Sequence, residues 1–222
     1  MSLNKRLKFL GDTMWRNACC EDQQVRDLAL QNQSQYATEE GRIVNHPESV
    51  PDIELISADG NRQSVHSLIE GKPAVVLFFR GSWCPYSTTS MRALEGIRVD
   101  LSRHGVAMIG VTPQRHITLA AATSRNALGY PLLTDPEQAF AEAMGVRVKI
   151  IDEMINMYQC QGFDLTKLNE SGDWSLPLEA TFLVDSSGQV VEANAYPYPT
   201  RRMEPEEIRG RMLALADQRQ FA

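Results

Sequence analysis

The sequence predicts an α/β fold in which a mixed β-sheet is covered by helices, with a helical extension at the N-terminus. Three observations predict it. Ala74–Phe79 is an uninterrupted apolar run of β-favouring residues, which is typical of a strand buried on both faces. Apolar side chains then recur at helical spacing from Met91 to Leu101, and Val106–Val111 is a second buried run. A strand, a helix and a further strand in this order form a right-handed βαβ unit.

The N-terminal segment, residues 1–46, is expected to be a helical extension of a domain that covers residues 47–222. It carries an apolar stripe at helical spacing, with weak points at Gly11 and at the adjacent Cys19 and Cys20. A short helix pair, packed on the domain or on a second subunit, explains this stripe. Adjacent cysteines rarely bridge, so we interpret this pair as small helix residues rather than as a redox pair.

The remaining elements follow from turn and periodicity signals. A first hairpin is predicted from Ile53–Ile56, the turn at Asp59-Gly60 and the segment 63–66, and a closing hairpin from 181–184 and 189–193. Further predicted elements are a helix over 118–128, a strand over 132–135, a helix from Pro136 to Met144 and a last helix from Pro205. Residues 146–175 mix charged with large apolar side chains and are interpreted as an irregular insert near the active site.

The composition of the chain argues against several classes of binding partner. The chain has 222 residues and a net charge of −6, which argues against a nucleic-acid partner. No apolar stretch approaches the roughly 20 residues of a membrane span, so no membrane association is expected. No signal peptide is apparent, and the expected compartment is the cytoplasm, where cysteines stay reduced. The 4 cysteines do not form a disulfide framework, and the 4 histidines show no metal-ligand spacing, so no cofactor or metal is expected.

Cys84 is the residue most suited to chemistry. It follows a short loop after the buried strand and precedes Pro85, a residue that favours the first position of a helix. Free N–H groups and the helix dipole at that point favour an anion, and the thiolate is the reactive form of cysteine. We therefore expect Cys84 to be accessible and to have a lowered pKa. The alternative is a buried structural cysteine.

The segment Phe79-Arg-Gly-Ser-Trp-Cys-Pro-Tyr-Ser87 resembles the active-site segment of thioredoxin-fold proteins. The nearest group is the peroxiredoxin-like branch of the alkyl hydroperoxide reductase/thiol-specific antioxidant (AhpC/TSA) family, and the similarity extends from Val50 to about Ala195. The resemblance implies a thioredoxin-like sheet, with Cys84 as the reactive thiol. It agrees with the mixed, helix-covered sheet inferred above.

The sequence departs from the family pattern at three positions. Ser87 replaces the second cysteine of the usual Cys-x-x-Cys, and Gly81 stands where peroxiredoxins proper carry a Thr. The position just before the penultimate strand, which faces the reactive cysteine, holds an Arg in peroxiredoxins and a cis-Pro in many relatives. Here it is aligned with Glu179, although a shift of one or two residues would place Pro177 there instead. A carboxylate beside a thiolate raises the thiol pKa, but it can also accept a proton.

Ser87 lies one helical turn after Cys84 and can donate a hydrogen bond that stabilises a thiolate. Monothiol glutaredoxins have a comparable Cys-x-x-Ser. A solvated helix serine, or a Cys-to-Ser change introduced to trap an intermediate, are alternative interpretations of this residue. Arg80 is a candidate for holding the thiolate by charge, the alternative being a surface ion pair.

Other residues near the motif have less specific interpretations. Trp83 and Tyr86 are candidates for an aromatic shelter over the thiol, the alternative being ordinary packing. Cys160, in the insert, is a candidate for resolving an oxidised Cys84, and is otherwise structural.

The function predicted from these residues is reduction of peroxides by a single cysteine, Cys84, recycled by an external thiol of the thioredoxin, glutaredoxin or glutathione type. One alternative is monothiol disulfide exchange through a mixed disulfide. Another is a redox sensor or binding module that keeps the fold without turnover, which Ser87, Gly81 and Glu179 favour. A homodimer is compatible with the sequence.

Overall fold

The computed structural model describes residues 1–16 and 18–218, apart from the side chains of Cys20 and Gln218. The strands are β1 (Glu54–Ile56), β2 (Arg62–Ser64), β3 (Ala74–Phe78), β4 (Ala107–Thr112), β5 (Leu132–Thr134), β6 (Arg147–Lys149), β7 (Ser175–Pro177), β8 (Ala180–Val184) and β9 (Val190–Ala195). The helices are α1 (Leu3–Trp15), α2 (Cys20–Gln33), α3 (Val65–Ile69), α4 (Pro85–Arg103), α5 (Leu119–Asn126), α6 (Ala139–Ala143), α7 (Asp152–Cys160), α8 (Leu165–Leu168) and α9 (Pro205–Gln218).

The centre of the molecule is a seven-stranded mixed sheet in the order β2-β1-β5-β4-β3-β8-β9. Strand β3 runs parallel to β4 on one side and antiparallel to β8 on the other. All five of its residues are buried, which explains the uninterrupted apolar run in the sequence. The predicted mixed, helix-covered sheet and its βαβ unit are confirmed.

Alternate residues of β3 supply two separate cores. Val75 and Leu77 pack on one face with apolar residues of α4 and α9, whereas Val76 and Phe78 pack on the other face with residues of α6 and β8. Successive side chains of a strand point to opposite faces, so one strand anchors both layers of helices. The end of β3, which leads to Cys84, is therefore held rigidly.

Several predicted elements are present with shifted bounds. The first hairpin pairs β1 with β2, but its second strand ends at Ser64, because this serine caps α3 with its side chain. The helix expected from Pro136 begins at Ala139. Asp135 is buried there and accepts from the N–H groups of Phe140 and Ala141.

The segment 146–175 is more regular than predicted. It contains β6, α7 and α8, and β6 pairs with β7 in a separate two-stranded sheet. These elements are short, and their mixed charged and apolar residues gave no clear period in the sequence. The prediction of an irregular insert is therefore wrong.

The N-terminal extension is helical over α1 and α2, whereas residues beyond Gln33 form turns and isolated bridges, including Ala37 with Ile43. Helix α1 packs against α4, and α2 packs against α7. The sequence predicts that the extension packs either on its own domain or on a second subunit. In this structure it packs on its own domain.

Candidate active site

Cys84 lies at the junction between β3 and α4. It is the N-cap residue of α4, with φ −87° and ψ 120°, and Pro85 follows inside the first turn. The Cys84 N–H donates to the Gly81 carbonyl (3.1 Å), and the Thr88 N–H donates to the Cys84 carbonyl (3.0 Å). The backbone is thus fixed on both sides of the cysteine, at the helix start that the sequence predicts.

Gly81 has a backbone that other residues rarely adopt. Its φ is +144°, and an added Cβ would lie 2.5 Å from Nε1 of Trp83 and 3.1 Å from Oε1 of Gln114. That Gln114 oxygen also accepts from the N–H (2.7 Å) and hydroxyl (3.0 Å) of Ser82. A threonine at position 81 would be strained and would clash, which accounts for the departure from the peroxiredoxin pattern.

Cys84 is buried, with 4 % of its surface exposed, so the expectation of an accessible thiol is wrong. Leu3 and Leu7 of α1 pack with Cys84 and Tyr86 in one apolar cluster, and Leu10 and Trp83 border it. A strand–loop–helix pattern predicts that a cysteine lies at a helix start. It does not predict whether a segment distant in sequence, here α1, covers that cysteine.

The start of α1 is tied to the segment that precedes α9. The Glu204 carboxylate accepts from the N–H groups of Leu3 (2.8 Å) and Asn4 (2.9 Å), which would otherwise lack helical partners. The Arg202 N–H donates to Oδ1 of Asn4 (2.7 Å), and Nδ2 of Asn4 donates to the Arg202 carbonyl (2.9 Å). The cover over Cys84 is therefore anchored by specific bonds as well as by apolar packing.

A buried polar network lies near the start of α4 and consists of Ser87, Glu179 and Arg202. Ser87 is fully buried, and its hydroxyl donates to one oxygen of the Glu179 carboxylate. The other oxygen accepts from the Arg202 guanidinium, with Nε at 2.9 Å. Glu179 directly precedes β8, whose first residues lie beside the end of β3. Pro177 instead lies in β7 and pairs with Arg147.

The charges in this network set the ionisation of its members. Burial opposes ionisation of Glu179, but the positive charges of Arg202 and Arg80 and the hydrogen bonds from Ser87 and Arg202 outweigh it, so its pKa is lowered. Burial raises the pKa of Cys84, and the negative charge of Glu179 raises it further; Arg80 and Ser87 oppose this shift without reversing it. The expected lowering of the Cys84 pKa is wrong, because burial and a carboxylate outweigh the helix start.

Arg80 is a half-buried cation without a carboxylate partner among the described residues. One terminal nitrogen donates to Oε1 of Gln33 (3.1 Å), and Nε has no hydrogen bond within the described part of the chain. Burial disfavours its charge, but the nearby Tyr158, Cys84 and Glu179 raise its pKa overall, so it stays charged. The site holds two guanidinium groups and one carboxylate, and a Cys84 thiolate would balance the second cation.

An aromatic wall borders the cysteine on the side of α7. The ring of Trp83 lies 6.2 Å from that of Tyr158 and 5.8 Å from that of Phe163, measured between centroids. Tyr158 is half-buried, and removal of its hydroxyl from water raises the pKa of this group. The insert therefore contributes ordered aromatic side chains to the site, and Trp83 is packed against them as the shelter interpretation requires.

The other described cysteines are exposed free thiols. Cys160 ends α7, and Tyr158, two residues earlier, points to the site; side chains two apart on a helix do not share a face. Cys19 caps α2, its sulfur accepting from the Asp22 N–H (3.4 Å). The Cys20 side chain lies outside the described residues.

Sequence reasoning missed Arg202 and Gln33 and gave no role to Tyr158. Each lies far from the motif along the chain and reaches it only through tertiary packing. The sequence around Arg202 shows neither a helical nor a strand period, and the residue lies outside the helices and strands. The one available signal was Glu179, since a carboxylate directly before a buried strand needs a cationic partner.

Comparison with known proteins shows the family of the chain. The sequence profile of the AhpC/TSA family matches residues 47–193. The chain belongs to the AhpC/TSA family. A Mycobacterium tuberculosis protein assigned to the peroxiredoxins is 24% identical over 146 residues, which cover 66% of this chain and 82% of that protein. A Haemophilus influenzae protein with the same assignment is 29% identical over 76 residues, 34% of this chain and 49% of that protein.

Solved structures of AhpC/TSA-like proteins share the fold. Peroxidoxin BcpB of Mycobacterium tuberculosis superposes with a TM-score of 0.59 at 16% identity, covering 78% of this chain and 96% of that one. Reduced Prx3 of Vibrio vulnificus, solved with hydrogen peroxide, gives 0.60 at 16% identity, covering 77% and 99%. The predicted thioredoxin-like fold and family are confirmed.

The predicted activity class, a peroxiredoxin-like thiol oxidoreductase, is supported at the level of this AhpC/TSA family. Within the described ranges, no helix combines the length and apolar character needed to cross a membrane.

Proposed function

We propose that this AhpC/TSA protein reduces peroxides through one cysteine, Cys84, and that an external thiol recycles it. The observation that carries the proposal is the position of Cys84 at the start of α4, four residues after Arg80, a half-buried cation whose Nε is enclosed by protein and has no hydrogen bond in the described structure. A cation that lacks a carboxylate partner in the described chain favours an anion on the neighbouring sulfur. The thiolate is that anion, and it is the nucleophile that peroxide reduction needs.

The reaction begins with attack of the Cys84 thiolate on one peroxide oxygen. The O–O bond breaks, the sulfur becomes a sulfenic acid, and the other oxygen leaves as an alcohol or water after protonation. Arg80 stabilises the anionic sulfur and the charge that develops on the leaving oxygen. Trp83 and the aromatic residues behind it keep the reacting sulfur away from bulk water.

We propose that none of the thiols described by the structure resolves the oxidised Cys84. Ser87 occupies the position of the usual second cysteine, and Cys160 is exposed on the face of α7 turned away from Tyr158. A reductant of the thioredoxin, glutaredoxin or glutathione type therefore completes the cycle. The free thiols suit a reducing compartment, and we propose the cytoplasm.

The cover formed by α1 gives the extension a part in this function. Because Leu3 and Leu7 pack on Cys84, the external thiol reaches the oxidised sulfur only when α1 opens. We propose that residues 1–46 are an extension that controls access and that residues 47–222 form the catalytic domain. The family profile begins at residue 47, in agreement with this division.

A steady-state assay tests the proposal. Consumption of hydrogen peroxide and of an alkyl hydroperoxide is measured with thioredoxin, glutaredoxin and glutathione systems for the wild type, Cys84→Ser and Cys160→Ser. We expect catalytic turnover with at least one reductant, its loss in Cys84→Ser and its retention in Cys160→Ser. Consumption of only one peroxide per protein with every reductant would instead identify a sensor without turnover. Turnover of a model disulfide but not of peroxide would identify a disulfide exchanger.

A further inference from the structure

The deprotonation of Cys84 poses a physical problem, because the thiol is buried and its pKa is raised. Cys84, Ser87 and Glu179 are each less than 5 % exposed, so the thiol proton has no direct route to water. Burial and the Glu179 charge both favour the neutral thiol. A reactive thiolate at this position needs a proton acceptor inside the protein, and one that restores the proton when the leaving group departs.

We propose that Ser87 relays the Cys84 proton to the Glu179 carboxylate during peroxide reduction, and that Arg202 is the positioning residue that holds this carboxylate. The proposal rests on the proposed peroxidase function and names the acid–base residues of that reaction. Ser87 and Glu179 then act as catalytic residues through proton transfer, whereas Arg202 touches neither the substrate nor the sulfur.

The hydrogen-bond directions suit a relay. A serine hydroxyl has one proton and two lone pairs, and the Ser87 proton points to Glu179. The lone pairs are left for the Cys84 S–H, because Cys84 is the N-cap of α4 and Ser87 is the third residue of that helix, the two positions whose side chains meet at a helix start. The Cys84 sulfur makes no capping hydrogen bond in this structure. Catalytic hydrogen bonds are often long before substrate binds and shorten in the reacting complex.

Charge is conserved within the site during the transfer. When the proton moves from Cys84 through Ser87 to Glu179, one anion is lost at the carboxylate and one is formed at the sulfur. The net charge of the buried network does not change, so no additional charge is desolvated. The positive charge of Arg80, which has no carboxylate partner among the described residues, favours the new anion.

The complete step balances in atoms and electrons. The Cys84 sulfur donates an electron pair to one peroxide oxygen, a new S–O bond forms, and the O–O bond breaks with its electron pair on the leaving oxygen. Ser87 gives its proton to that oxygen and regains one from Glu179. The thiol has become a sulfenic acid, the peroxide has become an alcohol or water, and Glu179 is again ionised.

Arg202 fixes the orientation of the Glu179 carboxylate, although its charge also makes this carboxylate a weaker base. It binds the carboxylate oxygen that Ser87 does not use, so the second oxygen stays directed at the hydroxyl. The Arg202 backbone is in turn bonded to Asn4 of α1. Within the described part of the chain, the groups that titrate or carry charge around Cys84 are Arg80, Tyr86, Tyr158, Glu179 and Arg202, and among these Glu179 is the ionised base.

Two reactions of the same sulfur separate a relay from a merely structural role. Reduction of peroxide needs a proton on the leaving oxygen, whereas alkylation by iodoacetamide releases iodide, which needs none. Rate constants for both reactions are measured from pH 5 to pH 9 for the wild type, Ser87→Ala and Glu179→Gln. Ser90→Ala is the matched control, because it removes a buried hydroxyl of the same helix that has no hydrogen bond in the described structure.

For Ser87→Ala we expect at least a tenfold loss in the peroxide rate constant per thiolate, and a much smaller change in the alkylation rate constant per thiolate; general acid–base catalysis usually contributes about 10²–10⁴-fold. Glu179→Gln lowers the Cys84 pKa and raises the alkylation rate near neutral pH, yet it slows peroxide reduction. Ser90→Ala behaves like the wild type in both reactions.

Equal losses in both reactions for Ser87→Ala would overturn the relay and leave Ser87 as a structural residue. A faster peroxide reaction in Glu179→Gln would also overturn it, since the carboxylate would then act only as an unfavourable charge. Failure of the proposed function gives a different result: Cys84→Ser would reduce peroxide as fast as the wild type, whatever the behaviour of the Ser87 and Glu179 variants.

Discussion

Our proposal that helix α1 controls access to Cys84 is tested by truncation of Leu7. Leu7 has no exposed surface and packs in the cluster that contains Cys84 and Tyr86. Leu7→Ala removes part of this apolar contact and leaves a cavity between α1 and α4. We expect the variant to remain folded, because the central sheet does not include Leu7, and to expose the thiol more often through local opening of α1.

The size of the effect follows from the burial of Leu7. Leu→Ala at a fully buried site costs about 2–5 kcal/mol, and the lower end is expected where a terminal helix can adjust its position. A loss of about 2 kcal/mol confined to α1 would increase its open population by roughly 30-fold, since every 1.4 kcal/mol corresponds to about a factor of ten. Reagents that reach Cys84 only in the open form would react faster by the same factor.

The assay is the rate of iodoacetamide labelling at Cys84, followed by peptide mass spectrometry, with the urea midpoint measured in parallel. Phe9→Ala is the matched control, because Phe9 lies on the same helix with 68% of its surface exposed. It should change stability by less than about 0.5 kcal/mol and leave the labelling rate unchanged. If Leu7→Ala loses stability without faster labelling at Cys84, α1 is not the barrier and the reasoning fails.

Three further predictions follow. Arg202→Gln leaves the Glu179 carboxylate buried without its ion-pair partner, so it should cost about 3–5 kcal/mol at pH 7 in urea unfolding. Because Arg202 lowers the folded-state pKa of Glu179, the ion pair stabilises the wild type above the ordinary pKa of 4.5 and this stabilisation is lost as the pH falls through the folded value; a deficit that does not shrink on acidification would contradict it. Ser87→Cys places a second thiol one helical turn after Cys84, within the roughly 7 Å between Cα atoms that a disulfide needs, so oxidation should remove two free thiols; an unchanged thiol count refutes this geometry. In the folded wild type, iodoacetamide should label exposed Cys160 before buried Cys84, and the reverse order would show that Cys84 is accessible.

The sequence was sufficient for the elements that carry the cysteine. The apolar run of β3 and Pro85 after Cys84 are local signals, and a buried strand leading into a helix produces both. Glu179 was also found, because it directly precedes a second apolar strand. The structure places it beside Ser87, within hydrogen-bonding contact.

The environment of Cys84 could not be read from local patterns. An apolar stripe predicts that α1 buries one face, but not that this face covers the reactive thiol. Arg202 meets Glu179 only because a segment near the C-terminus folds back over the start of α4. The direction of the Cys84 pKa was wrong for the same reason: the helix start is a local effect, whereas burial and the Glu179 charge are tertiary ones.

The central claim is that Cys84 is the single thiol that reacts with peroxide. The most direct measurement is mass spectrometry of the protein after one equivalent of hydrogen peroxide, without reductant and with a reagent that traps sulfenic acids. The account predicts a trapped sulfenic acid on Cys84 as the dominant product, although Cys160 is the more exposed thiol. A dominant Cys84–Cys160 disulfide, or oxidation of Cys160 with Cys84 unmodified, would contradict it.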